Sequence, residues 1–153
     1  DFLSGLDGGA YGGFNLFLAD RDSLCYYSNR QGRIQELPPG IYGLSNHLLE
    51  TPWPKLVAAK ARFSEALQAL PETEPLFHLL ADPTRWPDEH LPDTGVSLEW
   101  ERMLSAIFVQ SPAYGTRAST VLTVDRQGEV CLTERSFNAA GPSGEVQRRF
   151  QAD

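Results

Sequence analysis

GIYGLSNHLLETPWPK, residues 40–55, joins a stretch that reads as sheet to one that reads as helix. Ile41, Tyr42 and Leu44 give a short apolar segment, predicted as a strand over 41–45. Thr51 is predicted to N-cap the helix that follows and Pro52 to take its first position, where a missing N–H does no harm. An amphipathic run then begins at Leu56. Asn46 is thereby expected just past a strand end, where a sheet presents polar groups to a site. The competing reading, an asparagine that satisfies its own backbone in a turn, carries more weight on spacing alone.

Upstream, Phe2, Leu3 and Leu6 read as the last turn of a helix stopped by Gly8-Gly9. Residues 14–19 (FNLFLA) are expected as a buried strand, Asp20-Arg21-Asp22 as a turn, and 23–29 (SLCYYSN) as the returning arm. Residues 33–37 (RIQEL) alternate with the period of a half-exposed strand. Pro38-Pro39-Gly40 closes it, so that 41–45 would complete a meander of four strands.

Downstream, Leu56, Ala59, Phe63, Ala66, Leu67 and Leu70 recur at helical spacing, with Lys55, Lys60, Arg62 and Glu65 on other faces. Pro71 stops this helix. Thr73 is expected to cap a shorter one carrying Leu76, Phe77, Leu79 and Leu80, which stops at Asp82-Pro83. Residues 83–95 (PTRWPDEHLPDTG) have no periodicity and read as a surface loop. Ser97 would cap a third helix, with Glu99 and Glu101 near its positive end and Leu98, Met103 and Leu104 inward. Residues 107–109 are expected as a short strand, 118–125 and 129–137 as a hairpin across Arg126-Gln127-Gly128, and 145–150 as an edge strand after a loop. Strands at both ends and helices between give an α+β pattern of segregated layers.

With 153 residues, the chain is expected to form a single domain over 1–153. Its 41% hydrophobic and 22% charged residues are globular values. A net charge of -7 argues against nucleic acid or an anionic membrane as partner. No apolar run is long enough to span a bilayer. Cys25 and Cys131 each sit in a strand-like run. A disulfide between them is open, but two buried thiols in a reducing, cytoplasmic compartment is the expectation. The chain opens Asp1-Phe2-Leu3 and its methionine is Met103. The expectation is that sequence before Asp1 is missing, including any signal peptide or N-terminal catalytic residue.

His47, His78 and His90 are too widely spaced to anchor a metal, and no glycine pattern forms a phosphate cradle. Asp93, Glu99 and Glu101 read as helix-start carboxylates. Two constellations are left. One is Ser45-Asn46-His47. The other is YGTRAST, residues 114–120, where Arg117 and three hydroxyls precede a strand. Arg117 could hold a carboxylate or pyrophosphate bidentately, or pair with an internal acid. Its cluster of hydroxyls tilts the reading towards a ligand.

Residues 43–55 (GLSNHLLETPWPK), 114–120 and 124–137 (VDRQGEVCLTERSF), with GFNLFLAD at 13–20 and YYSNR at 26–30, resemble the NRDE family, named also for transport and Golgi organisation. The resemblance runs over nearly the whole chain and would make it the C-terminal three-fifths or so of a family domain. It implies an N-terminal nucleophile hydrolase-like αββα sandwich, incomplete here. The family's nucleophile would be a cysteine following the initiator, and neither it nor the Asn-Arg-Asp-Glu motif is in this sequence. Neither Cys25 nor Cys131 can replace it. Related choloylglycine-type hydrolases carry an asparagine after a strand and a later arginine near the nucleophile, and Asn46 and Arg117 match those positions. The resemblance implies that Asn46 donates to an oxyanion and that Arg117 orients the N-terminal amine or its substrate.

Two functions follow from the resemblance. The first is cleavage of a C–N amide bond by a cysteine outside this chain. The second is non-catalytic binding and trafficking of haem, a lipid or an acyl-coenzyme A. Haem would need His47, His78, His90 or Met103 as a ligand. No resident cofactor is implied. A third reading is that this stretch alone is inactive and associates with itself or with the missing half through exposed sheet edges.

Overall fold

The computed structural model describes residues 2–20 and 22–152. Among them are two separate three-stranded antiparallel sheets and three α-helices, so the chain is α+β. It divides into two units, one ending at Thr51 and the other starting at Pro52. No helix among the described residues is long and apolar enough to cross a membrane.

In the first unit, Leu3–Gly5 and Gly8–Ala10 form short 3-10 turns instead of the end of an α-helix. The close-set glycines do not sustain a longer one. Strands β1 (Asn15–Ala19), β2 (Leu24–Ser28) and β3 (Arg33–Glu36) pair in sequence order. Phe17 faces Tyr26 and Leu16 faces Tyr27 across the first pair. The central strand takes most of the burial, with Tyr26 and Ser28 almost fully enclosed. Strand β1 is an edge, and Phe17 and Leu18 on it are exposed, which corrects the expected buried strand. Arg21, expected in the β1–β2 turn, lies outside the described residues.

Residues 41–45 form no strand. Gly43 instead bonds within its own loop. The Gly43 N–H donates to Glu50 Oε1 (2.5 Å), and the Glu50 N–H donates to the Gly43 carbonyl (2.9 Å). The meander therefore has three strands, and residues 43–51 close into a loop.

In the second unit, α1 (Pro54–Ala66) begins two residues beyond the expected start. Thr51 donates its hydroxyl to the Leu48 carbonyl (2.8 Å) and so belongs to the preceding loop. Trp53 is the N-cap, and Pro54 supplies the first-turn proline. Helix α2 (Glu74–Leu80) follows, with no side-chain cap from Thr73. Helix α3 (Leu98–Leu104) is capped as expected: Ser97 Oγ accepts from the Trp100 N–H (3.5 Å). Its inward face is the expected one only in part, with Met103 and Leu104 half-buried. Leu98 is exposed, whereas Glu101 is buried and accepts from the Thr94 N–H (2.7 Å) and hydroxyl (2.6 Å).

Strands β4 (Ala118–Val124), β5 (Glu129–Asn138) and β6 (Gly141–Gln151) form the second sheet in that order. Val121 lies opposite Thr133, and Thr133 opposite Gln147, so the three share a face. On it Val121 joins Ala66, Leu76 and Phe77 in the core, with Phe63 and Leu80 packed around them. Strand β6 is longer than expected because Gly141, at φ 116°, turns the chain straight back from Asn138. Residues 107–109 form no strand. Val109 gives its carbonyl and N–H to Thr116, leaving one isolated bridge, Gln110 to Gly115.

Candidate functional site

The two candidate residues lie in different units, and each is built by its own loop. Asn46 is exposed in a bend of the loop spanning 43–51. The Gly43–Glu50 exchange closes the base of that loop, with Glu50 held at φ 61°, a conformation that favours glycine. Its flank is pinned to the first sheet. The Tyr26 hydroxyl donates to Asn15 Oδ1 (2.5 Å) and accepts from the Leu49 N–H (3.2 Å). Asn15 Nδ2 in turn donates to the His47 carbonyl (2.9 Å). A buried phenol thus fixes the backbone on either side of Leu48.

Among the described residues the Asn46 carboxamide makes no hydrogen bond, so it does not satisfy its own turn. It is available as a two-proton donor. His47 is engaged: its Nδ1 lies 2.9 Å from Thr51 Oγ1. The Thr51 proton goes to the Leu48 carbonyl, so the imidazole is the donor in this contact.

Arg117 stands at the exit of the loop 109–116, immediately before β4. The loop is closed by the two Val109–Thr116 bonds (2.8 and 2.9 Å) and, at its tip, by Ser111 and Tyr114. A Cβ on Gly115 would lie 2.9 Å from the Val109 carbonyl, so the turn needs glycine there. The Arg117 carbonyl accepts from the Phe137 N–H (2.8 Å), which ties the arginine to β5. Arg117 is exposed, and its side chain has no hydrogen-bond or ion-pair partner among the described residues.

The three neighbouring hydroxyls do not converge on Arg117. Thr116 accepts from Val109, Ser119 is buried, and Thr120 donates to Glu134 Oε2 (3.0 Å). Instead, Arg117 lines a groove of about 910 Å3 beside Phe108, Phe137, Tyr114 and Pro112. The Phe108 and Phe137 rings meet edge to face at 4.9 Å, and Tyr114 meets Trp100 at 5.3 Å.

An arginine that does pair with internal acids, two of them, is Arg135, which the sequence reading passed over. It holds Glu74 on α2 bidentately (3.0 and 2.6 Å) and Glu145 on β6 (2.8 Å). Its guanidinium also sits 3.9 Å from the centre of the Phe77 ring. The hydrogen bond from Arg135 is the main cause that holds the Glu74 carboxyl below its ordinary value. Both glutamate bonds raise the Arg135 pKa further. The register offered one signal, since Arg135 and Glu145 are cross-strand partners.

Lys55 is also committed, donating to the Leu104 carbonyl at the end of α3 (2.7 Å). Burial lowers its pKa, and the charge of Glu101 opposes that shift. Asn29 was read only as a strand end. It accepts from the Phe14 N–H (2.8 Å) and donates to the carbonyls of Gly8 and Gly12 (both 2.9 Å).

Cys25 and Cys131 are free and half-buried. No cluster of three or more histidine, cysteine, aspartate or glutamate side chains that could hold a metal occurs among the described residues. His78 and His90 are exposed, His78 lying 3.4 Å from Glu74. None of the histidines, nor Met103, lines the Arg117 groove.

Residues 3–139 match the family described as Transport and Golgi organisation 2. That span includes both Asn46 and Arg117. A Bos taurus protein named Transport and Golgi organization protein 2 homolog is 42% identical over 154 residues, covering 90% of this chain and 55% of the relative. The Homo sapiens protein of that name is 43% identical over 148 residues, covering 86% and 53%. Transport and Golgi organization protein 2 of Drosophila melanogaster is 27% identical over 124 residues, covering 72% and 43%. The chain spans about half the length of the curated relatives it matches.

Proposed function

The chain belongs to the Transport and Golgi organisation 2 family, and on that footing we propose that it is part of an amide-bond hydrolase with an N-terminal nucleophile hydrolase-like αββα fold. Its nucleophile is a cysteine beyond this sequence. The thiolate attacks the amide carbon, the amine leaves with a proton, and water then cleaves the acyl thioester to regenerate the thiol. Asn46 donates a hydrogen bond to the carbonyl oxygen as it becomes an oxyanion, and Arg117 orients the substrate.

The observation that carries this reading is the Asn46 carboxamide, unengaged among the described residues on a loop whose base and flank are fixed. A donor carried on an anchored backbone needs less reorganisation as charge develops. In the full-length protein, Asn46→Ala is expected to lower amide turnover by about a hundredfold or more. Arg117→Ala should also lower it substantially, and both should leave the melting temperature unchanged. Wild-type turnover in both variants sinks the assignment.

The groove beside Arg117 favours a second reading, a cytoplasmic carrier that binds a lipid or acyl-coenzyme A and passes it on. Haem suits this groove less, because none of the histidines nor Met103 lines it. Titration with palmitoyl-coenzyme A should then saturate at a defined stoichiometry, and linear, non-saturating uptake counts against a carrier. Self-association through the exposed edge of β6 belongs to the same proposal and would appear as concentration-dependent mass in sedimentation.

A further inference from the structure

We propose that the Arg117 groove is a binding site for an organic monocarboxylate with an aromatic or apolar body. The acid group rests on Arg117 and the body lies along Phe108, Phe137 and Tyr114. The inference deepens the reading of Arg117 as a residue that faces a ligand. It needs neither Asn46 nor a nucleophile.

Charge is the first argument. Among the described residues that line the groove, Arg117 is the one charged side chain, and none of them is a carboxylate. The chain as a whole has 20 acidic and 13 basic residues, so an acid-free lining around a cation is what sets this arginine apart from the paired ones. Arg62, Arg102, Arg135 and Arg149 all pair with acids. Arg85, near the groove's rim, donates to the Gln110 carbonyl (3.3 Å). An anion arriving at Arg117 therefore displaces no internal partner and meets no opposing charge in the lining.

Shape is the second. At about 910 Å3 the groove falls within the ~300–1,000 Å3 usual for small-molecule sites. The Phe108–Phe137 edge-to-face pair offers ring surface for a flat or aliphatic body. The polar side chains around it are largely committed to backbone, as with Ser111, Thr116 and Asn138. Specificity then rests on the guanidinium. A planar fork of N–H donors matches the two oxygens of a carboxylate. A phosphate dianion would call for a second cation, and none is among the described lining residues; Arg85, at the rim, is committed to the Gln110 carbonyl.

Calorimetric titration of the protein with 4-phenylbutyrate tests this, against neutral 4-phenylbutyramide and 4-phenylbutyl phosphate. One acid should bind per chain, roughly tenfold or more tighter than the amide and tighter than the phosphate. Arg117→Gln should erase the preference for the acid, and Arg117→Lys should keep part of it. Ala113→Trp, which fills the groove from its exposed rim, should weaken acid and amide alike, with circular dichroism unchanged. Equal affinity for acid and amide overturns the proposal. So do undiminished acid binding by Arg117→Gln, tighter binding of the phosphate, and no saturable binding by the folded protein. Acid binding without amide turnover leaves this site standing and removes the hydrolase. Turnover without acid preference does the reverse.

Discussion

Arg117 and Arg135, both at the second sheet, have opposite surroundings. Arg135, in the middle strand, is held by Glu74, Glu145 and the face of Phe77. Arg117, one residue before β4, lines a groove without acids. The difference comes from what packs nearby. Helix α2 lies over one face of the sheet and brings Glu74 to Arg135, whereas the loop 109–116 contains no acidic residue. The same side chain thus serves cohesion in one place and stands open to a ligand in the other.

The strongest way to break this comparison is to remove the platform under Arg135. Phe77 is 4% exposed, and Phe77→Ala is expected to cost about 3–5 kcal/mol in urea unfolding. A loss well below that range would mean that the core does not depend on this ring. Arg135→Met keeps the hydrophobic stem and removes the charge. Both glutamates are about half exposed, so solvent screening limits the expected loss to about 1 kcal/mol. A change in melting temperature no larger than that of Arg117→Gln would erase the contrast.

The Glu74 contact also predicts a pH dependence. Its carboxyl is held below the ordinary value chiefly by the Arg135 hydrogen bond. The folded state therefore favours the ionised form. That stability is fully present above the unfolded-state value and is lost as pH falls through the lowered folded-state value. Glu74→Gln should flatten the acid limb of a melting-temperature profile, and an unchanged acid limb would break the assignment. The smallest effect is expected at Arg117. Arg117→Gln should move stability by no more than about 0.5 kcal/mol while removing the acid preference of the groove. A large destabilisation would show that Arg117 is a structural residue.

Part of this contrast was legible in the sequence. Asn46 and Arg117 were singled out, and the structure leaves both side chains without internal partners among the described residues. The hydroxyls that drew attention to Arg117 proved to serve the backbone, a buried face and Glu134. Asn46 was expected beyond a strand and lies on a closed loop, because Gly43 and Glu50 exchange hydrogen bonds that a strand would have given to a neighbour. The phenol of Tyr26 that pins this loop was invisible, since nothing near position 26 marks its bond to Leu49.

The sequence by itself determined the α+β alternation, the hairpin from β4 to β5, the Ser97 cap and the family. Each is written in short-range periodicity, turn chemistry or long local motifs. Tertiary structure decided which arginine is paired and which is open. Glu74 lies 61 residues from Arg135 along the chain, and only the packing of α2 on the sheet brings them within hydrogen-bonding distance. Local patterns fix how a segment folds. The partner that neutralises a charge is chosen by the surfaces that folding brings together.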